Sequence, residues 1–201
     1  MLLANGVEPL EMSAFSDVLG WANILGDQPI ELIDAGLRPE IKTTFGLNLR
    51  PNKQVTELDL SNFDALAIPG GFEPSGFYEE ALSENFLKVI RYFAQQNKPI
   101  ASVCVSSLAL GAAGILKNKK ATTYHQVGGK RKQQLVATGA IFVDKPVVID
   151  GQCITSTGPG TALEVAFELL TKLTSVENAN ALRVRMRMPM PSEQWYQTAQ
   201  V

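Results

Sequence analysis

Short apolar runs alternate along the chain with longer stretches in which apolar residues recur every three or four positions. The runs are typical of buried strands, and the longer stretches are typical of amphipathic helices. Strands are predicted at residues 1–4, 30–35, 63–68, 99–103 and 119–124, and helices at residues 9–25, 85–96, 162–173 and 176–185. Strands that alternate with helices predict an α/β domain with a mostly parallel central sheet and helices on both faces.

Three further segments complete the predicted domain. Residues 41–49 form a hairpin-like excursion, and residues 130–138 form a polar helix. Asp-Gly at positions 150 and 151 favours a type I′ turn, so residues 147–155 are predicted to form a second hairpin, in which Cys153 is structural. We expect one domain over residues 1–186 and an irregular tail over residues 187–201. The first strand is so short that we expect further residues upstream of Met1.

Composition narrows the class of protein. The chain has 201 residues, 45% of them hydrophobic, and a net charge of −2, which suits one domain with a sizeable core. Near-neutral charge gives no case for nucleic-acid binding, and the basic stretch at residues 117–132 is interpreted as solvated surface. With two distant cysteines, no secretory segment and no membrane-length apolar run, we expect a cytoplasmic protein that does not bind membranes.

Cys104 is the candidate nucleophile. It follows the apolar run 99–103 directly, and small helix-forming residues follow it, so it falls on a sharp turn from strand to helix. Its small neighbours Ser102 and Ser106 resemble the elbow that presents a nucleophile at the end of a strand. The amides and dipole of the following helix favour a thiolate there. The alternative is an inert cysteine at the end of a buried strand.

Two other segments carry candidate site residues. Glu8 and Glu11 are three positions apart after the first strand, so they share a helix face and one of them can reach Cys104. Alternatively, both only stabilise the helix N-terminus. Gly70 and Gly71 follow the strand 63–68, where glycines let backbone amides approach a ligand. The alternative there is a plain tight turn.

Five motifs together resemble a known family. They are ANGVEPLE at 4–11, PGG at 69–71, ASVC at 101–104, ATTYH at 121–125 and TSTGPGT at 155–161. Over residues 2–186 the chain resembles the ThiJ/PfpI family of the class I glutamine-amidotransferase-like superfamily. The resemblance implies a flavodoxin-like three-layer sandwich. It also implies a homodimer, with residues 158–160 near the contact.

The resemblance also assigns roles to residues. It makes Cys104 the reactive cysteine and Glu11 the acid that is hydrogen-bonded to it, with Gly70 and Glu8 in support. The amides of Gly71 and Val105 would then hold an oxyanion.

The place of the histidine departs from the family pattern. Where family members have a histidine after the Thr-Thr pair, it usually follows directly, whereas here Tyr124 intervenes before His125. A slip of one residue at a strand end turns a side chain to the other face, so either His125 or Tyr124 is the partner of Cys104. Glutaminase triads need a glutamate two residues after the histidine, and Val127 stands there. With a single histidine, we also expect no metal site of several histidines, and we expect no cofactor.

The resemblance implies a cysteine-dependent enzyme that acts on a small electrophilic substrate. The chemistry is glyoxalase-like or deglycase-like, or that of an amide or nitrile hydrolase or hydratase. One alternative is a sensor of oxidative stress in which Cys104 is oxidised, or a chaperone-like homodimer. Another is an intracellular protease or amidase.

Overall fold

The computed structural model describes residues 1–197. Its strands are β1 (Leu2–Leu3), β2 (Ala35–Gly36), β3 (Ile41–Lys42), β4 (Asn48–Leu49), β5 (Lys53–Gln54), β6 (Leu66–Ile68), β7 (Ile100–Ser102), β8 (Lys120–Ala121), β9 (Ile141–Phe142), β10 (Val147–Asp150) and β11 (Cys153–Ser156). Its helices are α1 (Pro9–Leu25), α2 (Phe77–Ala81), α3 (Glu84–Gln95), α4 (Ser107–Ala112), α5 (Arg131–Ala137), α6 (Ala162–Leu173) and α7 (Val176–Arg185).

The central strands run mostly in parallel. β6, β7 and β11 are parallel neighbours, and β10 closes that edge as an antiparallel strand. On the other side of β6 lies β1, which continues in parallel through β2 to β5. The carboxyl ends of β1, β6 and β7 therefore meet at one edge of the sheet, which is where ligands bind in this class of fold.

Helices cover both faces of these strands. α1, α6 and α7 pack together as one group, while α4 packs against α3 and α5 in the other. Fully buried aromatic side chains fill the layers between them, among them Phe15, Phe86 and Phe167. The predicted flavodoxin-like sandwich of three layers is confirmed.

Several elements agree with their predictions in detail. β3 and β4 form the predicted hairpin at residues 41–49. β10 and β11 form the second hairpin, with Gly151 in the left-handed region at a φ of 59°. The Ser83 hydroxyl caps α3 by accepting a hydrogen bond from the amide of Phe86. The ends of α6 and α7 are also as predicted.

All five predicted strands are shorter than expected, and those predicted at residues 30–35 and 119–124 lose the most residues. Of residues 30–35 only Ala35 belongs to a strand, because the pairing with β1 begins at Ala35, opposite Leu2. Just before it, the Ile33 carbonyl accepts a hydrogen bond from the Met1 amino group. Of residues 119–124 only Lys120–Ala121 is strand, since its parallel partner β9 is equally short.

The end of the chain is irregular where it is described. Residues 188–197 contain turns but no helix or strand, and residues 198–201 lie outside the described part. The division into a domain of residues 1–186 and a tail stays a prediction. Within residues 1–197 no helix combines the length and apolar character needed to cross a membrane.

Candidate active site

Cys104 occupies a strained turn. β7 ends at Ser102, and a 3₁₀ turn over Cys104–Ser106 leads directly into α4. The backbone of Cys104 has a φ of 60°. Residues other than glycine rarely adopt this angle, which costs on the order of 1–3 kcal/mol of conformational free energy. Strain of this kind is typical of a nucleophile elbow. It indicates that the turn presents the cysteine side chain.

Hydroxyl groups hold the turn in place. Ser106 Oγ donates to the carbonyls of Val103 at 2.7 Å and Ile68 at 2.9 Å. The Cys104 carbonyl accepts from Ser107 Oγ at 3.1 Å and from Thr123 Oγ1 at 3.3 Å. The serine in the second position after the cysteine therefore fastens the elbow to β6. The Thr-Thr motif contacts the backbone of Cys104.

Glu11 lies beside the Cys104 side chain in the first turn of α1. The glutamate is completely buried, and its Oε2 accepts a hydrogen bond of 2.6 Å from the amide of Gly70. The carboxyl also interacts with the Cys104 thiol. Its other oxygen, Oε1, is buried without a hydrogen-bond partner of good geometry. A glutamate so placed is held for contact with the cysteine and not with solvent.

Gly70 makes this close approach possible. A Cβ at position 70 would lie 2.8 Å from Glu11 Oε2 and 3.0 Å from the Cys104 Cβ, which is closer than real side chains pack. Gly71 is equally confined, because a Cβ there would lie 2.3 Å from both the Gly6 carbonyl oxygen and the Phe77 ring. The glycine pair therefore provides room for the Glu11–Cys104 contact on one side and packs against α2 on the other.

Burial raises the pKa of both members of the pair. Desolvation raises the pKa of Glu11 to about 8, despite the opposing hydrogen bonds from Gly70 and Cys104. Desolvation and the charge of Glu11 raise the pKa of the Cys104 thiol, and the Val105 amide only partly offsets them. The expectation that helix amides give a thiolate of lowered pKa is therefore wrong. The amide acts as expected, but burial and the carboxylate outweigh it.

The two groups titrate as a unit. When the pair has lost one proton, the remaining proton is shared between a thiolate with a carboxylic acid and a thiol with a carboxylate. Both forms carry the same charge, and both can deliver a nucleophilic sulfur. The half-buried Glu8, at the N-cap of α1, adds a negative charge that raises the pKa values of both groups. Burial also raises the pKa of Glu8 itself.

The backbone of Val105 and Gly71 lies beside the Cys104–Glu11 pair. The Val105 amide hydrogen-bonds the Cys104 side chain. Gly71 pairs with Val7 in an isolated antiparallel bridge, whose hydrogen bonds use the amides of Glu8 and Phe72. The joint role of the two amides as an oxyanion site stays a prediction.

His125 and Tyr124 have partners other than the cysteine. His125 Nδ1 lies 2.9 Å from the Thr123 carbonyl, and Nε2 lies 3.0 Å from Asp144 Oδ1. Both ring nitrogens are therefore engaged by oxygen atoms of these two residues. The Tyr124 hydroxyl accepts a hydrogen bond of 2.6 Å from Gln126. The role of either residue as the proton partner of Cys104 stays a prediction.

Tyr78 is a neighbour of Cys104 that the sequence did not reveal. It lies in the five-residue helix α2, and a negative charge on Cys104 raises the pKa of its hydroxyl. No apolar periodicity marks this short helix, which follows a loop, residues 69–76, with three glycines and two prolines. No signal in the sequence pointed to this tyrosine. Within residues 1–197 no group of three or more His, Cys, Asp or Glu side chains is arranged to hold a metal ion.

Comparisons with known proteins place the chain in a family. The model of the DJ-1/PfpI family matches residues 1–172. The chain is 34% identical over 188 residues to an isonitrile hydratase from Pseudomonas putida, covering 92% of this chain and 75% of that one. It is 28% identical over 199 residues to a glutathione-independent glyoxalase DJ-1 from Schizosaccharomyces pombe, covering 94% and 97%.

Two more comparisons concern length and fold. Protein DJ-1 homolog A from Arabidopsis thaliana is 30% identical over 195 residues, which cover 96% of this chain but 47% of that protein, so the chain spans about half of this relative. The crystal structure of Drosophila melanogaster DJ-1beta superposes with a TM-score of 0.81 at 28% identity, covering 94% and 96% of the two chains.

Proposed function

Because the chain belongs to the DJ-1/PfpI family, we propose that it is an enzyme in which Cys104 adds to the electrophilic carbon of a small carbonyl compound. The observation that carries the proposal is the buried pair of Cys104 and Glu11 on a strained elbow. A nucleophile with an adjacent proton carrier is the arrangement that covalent catalysis requires. Relatives named as a glyoxalase and an isonitrile hydratase support enzymatic chemistry of this general kind.

The first step follows from the shared proton of the pair. The Cys104 sulfur bonds to an aldehyde carbon, and the π electrons of the carbonyl move to its oxygen. That oxygen accepts hydrogen bonds from the amides of Val105 and Gly71 while its negative charge develops. The proton retained by the pair passes through Glu11 to the oxygen and gives a neutral thiohemiacetal.

An α-oxoaldehyde allows the reaction to continue without an added oxidant or reductant. Glu11, now a carboxylate, removes the proton from the carbon bonded to sulfur, and the electrons of that C–H bond form a C=C bond while those of the neighbouring carbonyl move to its oxygen. Glu11 then returns the proton to the neighbouring carbon, and the hydroxyl proton of the first carbon passes to the oxygen of the second as the new C=O bond forms. The thiohemiacetal thereby becomes the thioester of a 2-hydroxy acid. Water hydrolyses the thioester, which releases the acid and restores the Cys104 thiol and its proton.

Turnover of methylglyoxal to lactate tests this proposal. We expect turnover by the wild-type protein and by Cys153→Ser, the matched control, since Cys153 lies in β11 and takes no part in the chemistry. Cys104→Ser and Glu11→Ala should lose nearly all of it while keeping the fold. Full activity of Cys104→Ser would refute the proposal.

A nitrile-like or isonitrile carbon is the second substrate class that the same pair can attack. The observation that favours this class is the 34% sequence identity to the relative named isonitrile hydratase. The first bond would again join the Cys104 sulfur to an electrophilic carbon. The proton from Glu11 would go to the nitrogen of a nitrile, or to the same carbon of an isonitrile to give a thioformimidate, which water would convert to the formamide with release of the Cys104 thiol. Hydration of an alkyl isonitrile to its formamide, with no turnover of methylglyoxal, would favour this class.

Oxidation of Cys104 is the alternative outside enzyme catalysis. The neutral Glu11 carboxyl is placed to donate a hydrogen bond to a sulfinate, and the Val105 amide is placed to do the same. Peroxide-dependent modification of Cys104 in a protein that turns over neither substrate class would favour this alternative.

A further inference from the structure

The hydroxyl of Tyr78 is buried and has no hydrogen-bond partner. Its ring is half-buried and is held from two sides. The Phe77 ring meets it edge-on with 5.7 Å between the centroids, and the Arg131 guanidinium lies 4.6 Å from its centroid. Arg131 is fixed in turn by an ion pair with Glu73. The position of the phenol oxygen is therefore well defined.

Packing does not account for this oxygen. Phenylalanine would keep the ring contacts with Phe77 and Arg131. A buried hydroxyl without a partner destabilises a fold, because it has lost its hydrogen bonds to water. The group is therefore a donor left available for a bound molecule.

The surroundings of the oxygen connect it to the reactive sulfur. Burial is the largest cause that raises the pKa of Tyr78, and negative charges on Cys104 and Glu73 raise it further, although Arg131 opposes them. The phenol thus keeps its proton at neutral pH and can donate a hydrogen bond. α2, which carries Tyr78, packs through Phe77 against the glycine pair beside Cys104, since a Cβ at Gly71 would lie 2.3 Å from the Phe77 ring. A charge on Cys104 also acts on the phenol, so the donor borders the same site.

We propose that Tyr78 is a substrate-binding residue of the Cys104 site, whose hydroxyl donates a hydrogen bond to the second oxygen of a substrate with two adjacent carbonyl groups. This inference rests on the proposed function for the bond between Cys104 and the substrate carbon. The oxygen of the attacked carbonyl accepts hydrogen bonds from the backbone amides of Val105 and Gly71. The neighbouring carbonyl oxygen needs a different donor, and Tyr78 supplies one.

Protection of Cys104 from alkylation tests the inference independently of turnover. Labelling by iodoacetamide is followed on the Cys104 peptide by mass spectrometry, with increasing methylglyoxal or propanal. Both are three-carbon aldehydes, but only methylglyoxal has the second carbonyl oxygen. Tyr78→Phe removes the hydroxyl and keeps the ring, and Tyr92→Phe on α3 is the matched control.

We expect Tyr78→Phe to raise the half-protecting concentration of methylglyoxal about tenfold, the effect of one lost hydrogen bond, and to leave that of propanal within about twofold. Tyr92→Phe should change neither value. Equal shifts for the two aldehydes, no shift for either, or no protection of the wild-type protein by methylglyoxal would overturn the inference. A protein that is protected but does not turn over methylglyoxal would refute the proposed function and leave this result standing.

Discussion

Glu11 lies against Cys104 because the first turn of α1 and the carboxyl end of β7 meet at the same edge of the sheet, beside the end of β6. The Gly70 amide, at the end of β6, fixes the carboxyl at 2.6 Å. Three segments that are distant in sequence therefore build one buried pair with a shared proton. The chemistry of the site depends on that contact.

Gly70→Ala should disable the site and also lower the stability of the fold, because one of the clashing atoms belongs to the backbone. The added Cβ would meet Glu11 Oε2 and the Val103 carbonyl at 2.8 Å, so the carboxyl must move away from the cysteine. We expect kcat/KM to fall roughly tenfold to a hundredfold, since small displacements of reacting groups have effects of that size. The control is Gly20→Ala in α1, where a Cβ meets nothing within 4 Å. Unchanged kcat/KM in Gly70→Ala would show that the contact is not needed.

Stability should fall as pH rises, because of Glu11. The pKa of its carboxyl is about 8 in the folded protein, above the ordinary 4.5, so the folded state binds more protons than the unfolded state between these values. The contribution of Glu11 is fully present below pH 4.5 and is lost as pH rises through about 8. Its size is on the order of a few kcal/mol.

Urea unfolding at pH 5 and pH 8.5 measures this loss. In Glu11→Gln the group no longer titrates, so the difference between the two pH values should be smaller than in the wild type. Identical pH dependence in the two proteins would mean that Glu11 is ionised in the folded state at pH 5.

His125→Ala should reduce activity less than Cys104→Ser does. Both ring nitrogens of His125 are engaged by the Thr123 carbonyl and Asp144, so the substitution loosens the segments that they join. We expect a loss below about tenfold in kcat/KM together with a lower Tm. Asp144→Asn, which keeps an acceptor for the ring, should have a milder effect on Tm. A loss in kcat/KM as large as that of Cys104→Ser would place His125 in the proton transfer.

The protein should form a homodimer at micromolar concentration. Large apolar side chains lie exposed around the loop that leads into α1 and on the neighbouring hairpin: Leu10 (55% exposed), Phe45 (75%), Leu47 (59%) and Phe72 (55%). Such a patch is typical of a surface that a second molecule covers. Sedimentation of Phe45→Glu should give a monomer, whereas Val184→Glu, at another exposed apolar residue, should remain a dimer. A monomeric wild-type protein would contradict the prediction.

The sequence predicts the layout of the fold well wherever a single element carries its own signal. The apolar stripe and Ser83 cap of α3 and the Asp-Gly turn after β10 are local features, and the structure reproduces them. The ends of short strands are not local, because they depend on a partner. For this reason residues 30–34, which the apolar pattern predicts as strand, are not strand in the structure, since β1 pairs only with Ala35–Gly36.

The sequence predicted that Cys104, Glu11 and Gly70 lie close together but not how the pair is protonated, and the roles of the site residues stay predictions. Motifs placed Cys104, Glu11 and the glycines together, and the strained φ of Cys104 agrees with an elbow. The pKa of the thiol was predicted in the wrong direction, since a sequence shows the helix that follows but not how deeply the sulfur is buried. The sequence does not mark Tyr78 for a similar reason, because only folding brings α2 close to Cys104.

The pH dependence of Cys104 alkylation tests the shared proton most directly. Labelling by iodoacetamide at the Cys104 peptide should rise through about pH 8 in the wild type, where the pair loses its first proton. In Glu11→Gln no carboxylate can take the thiol proton, and burial keeps the pKa of Cys104 above its ordinary 9.0, so labelling should rise only above pH 9. Asp17→Asn, at an exposed position of α1, is the control and should stay close to the wild type. The same midpoint in the wild type and Glu11→Gln would contradict the account.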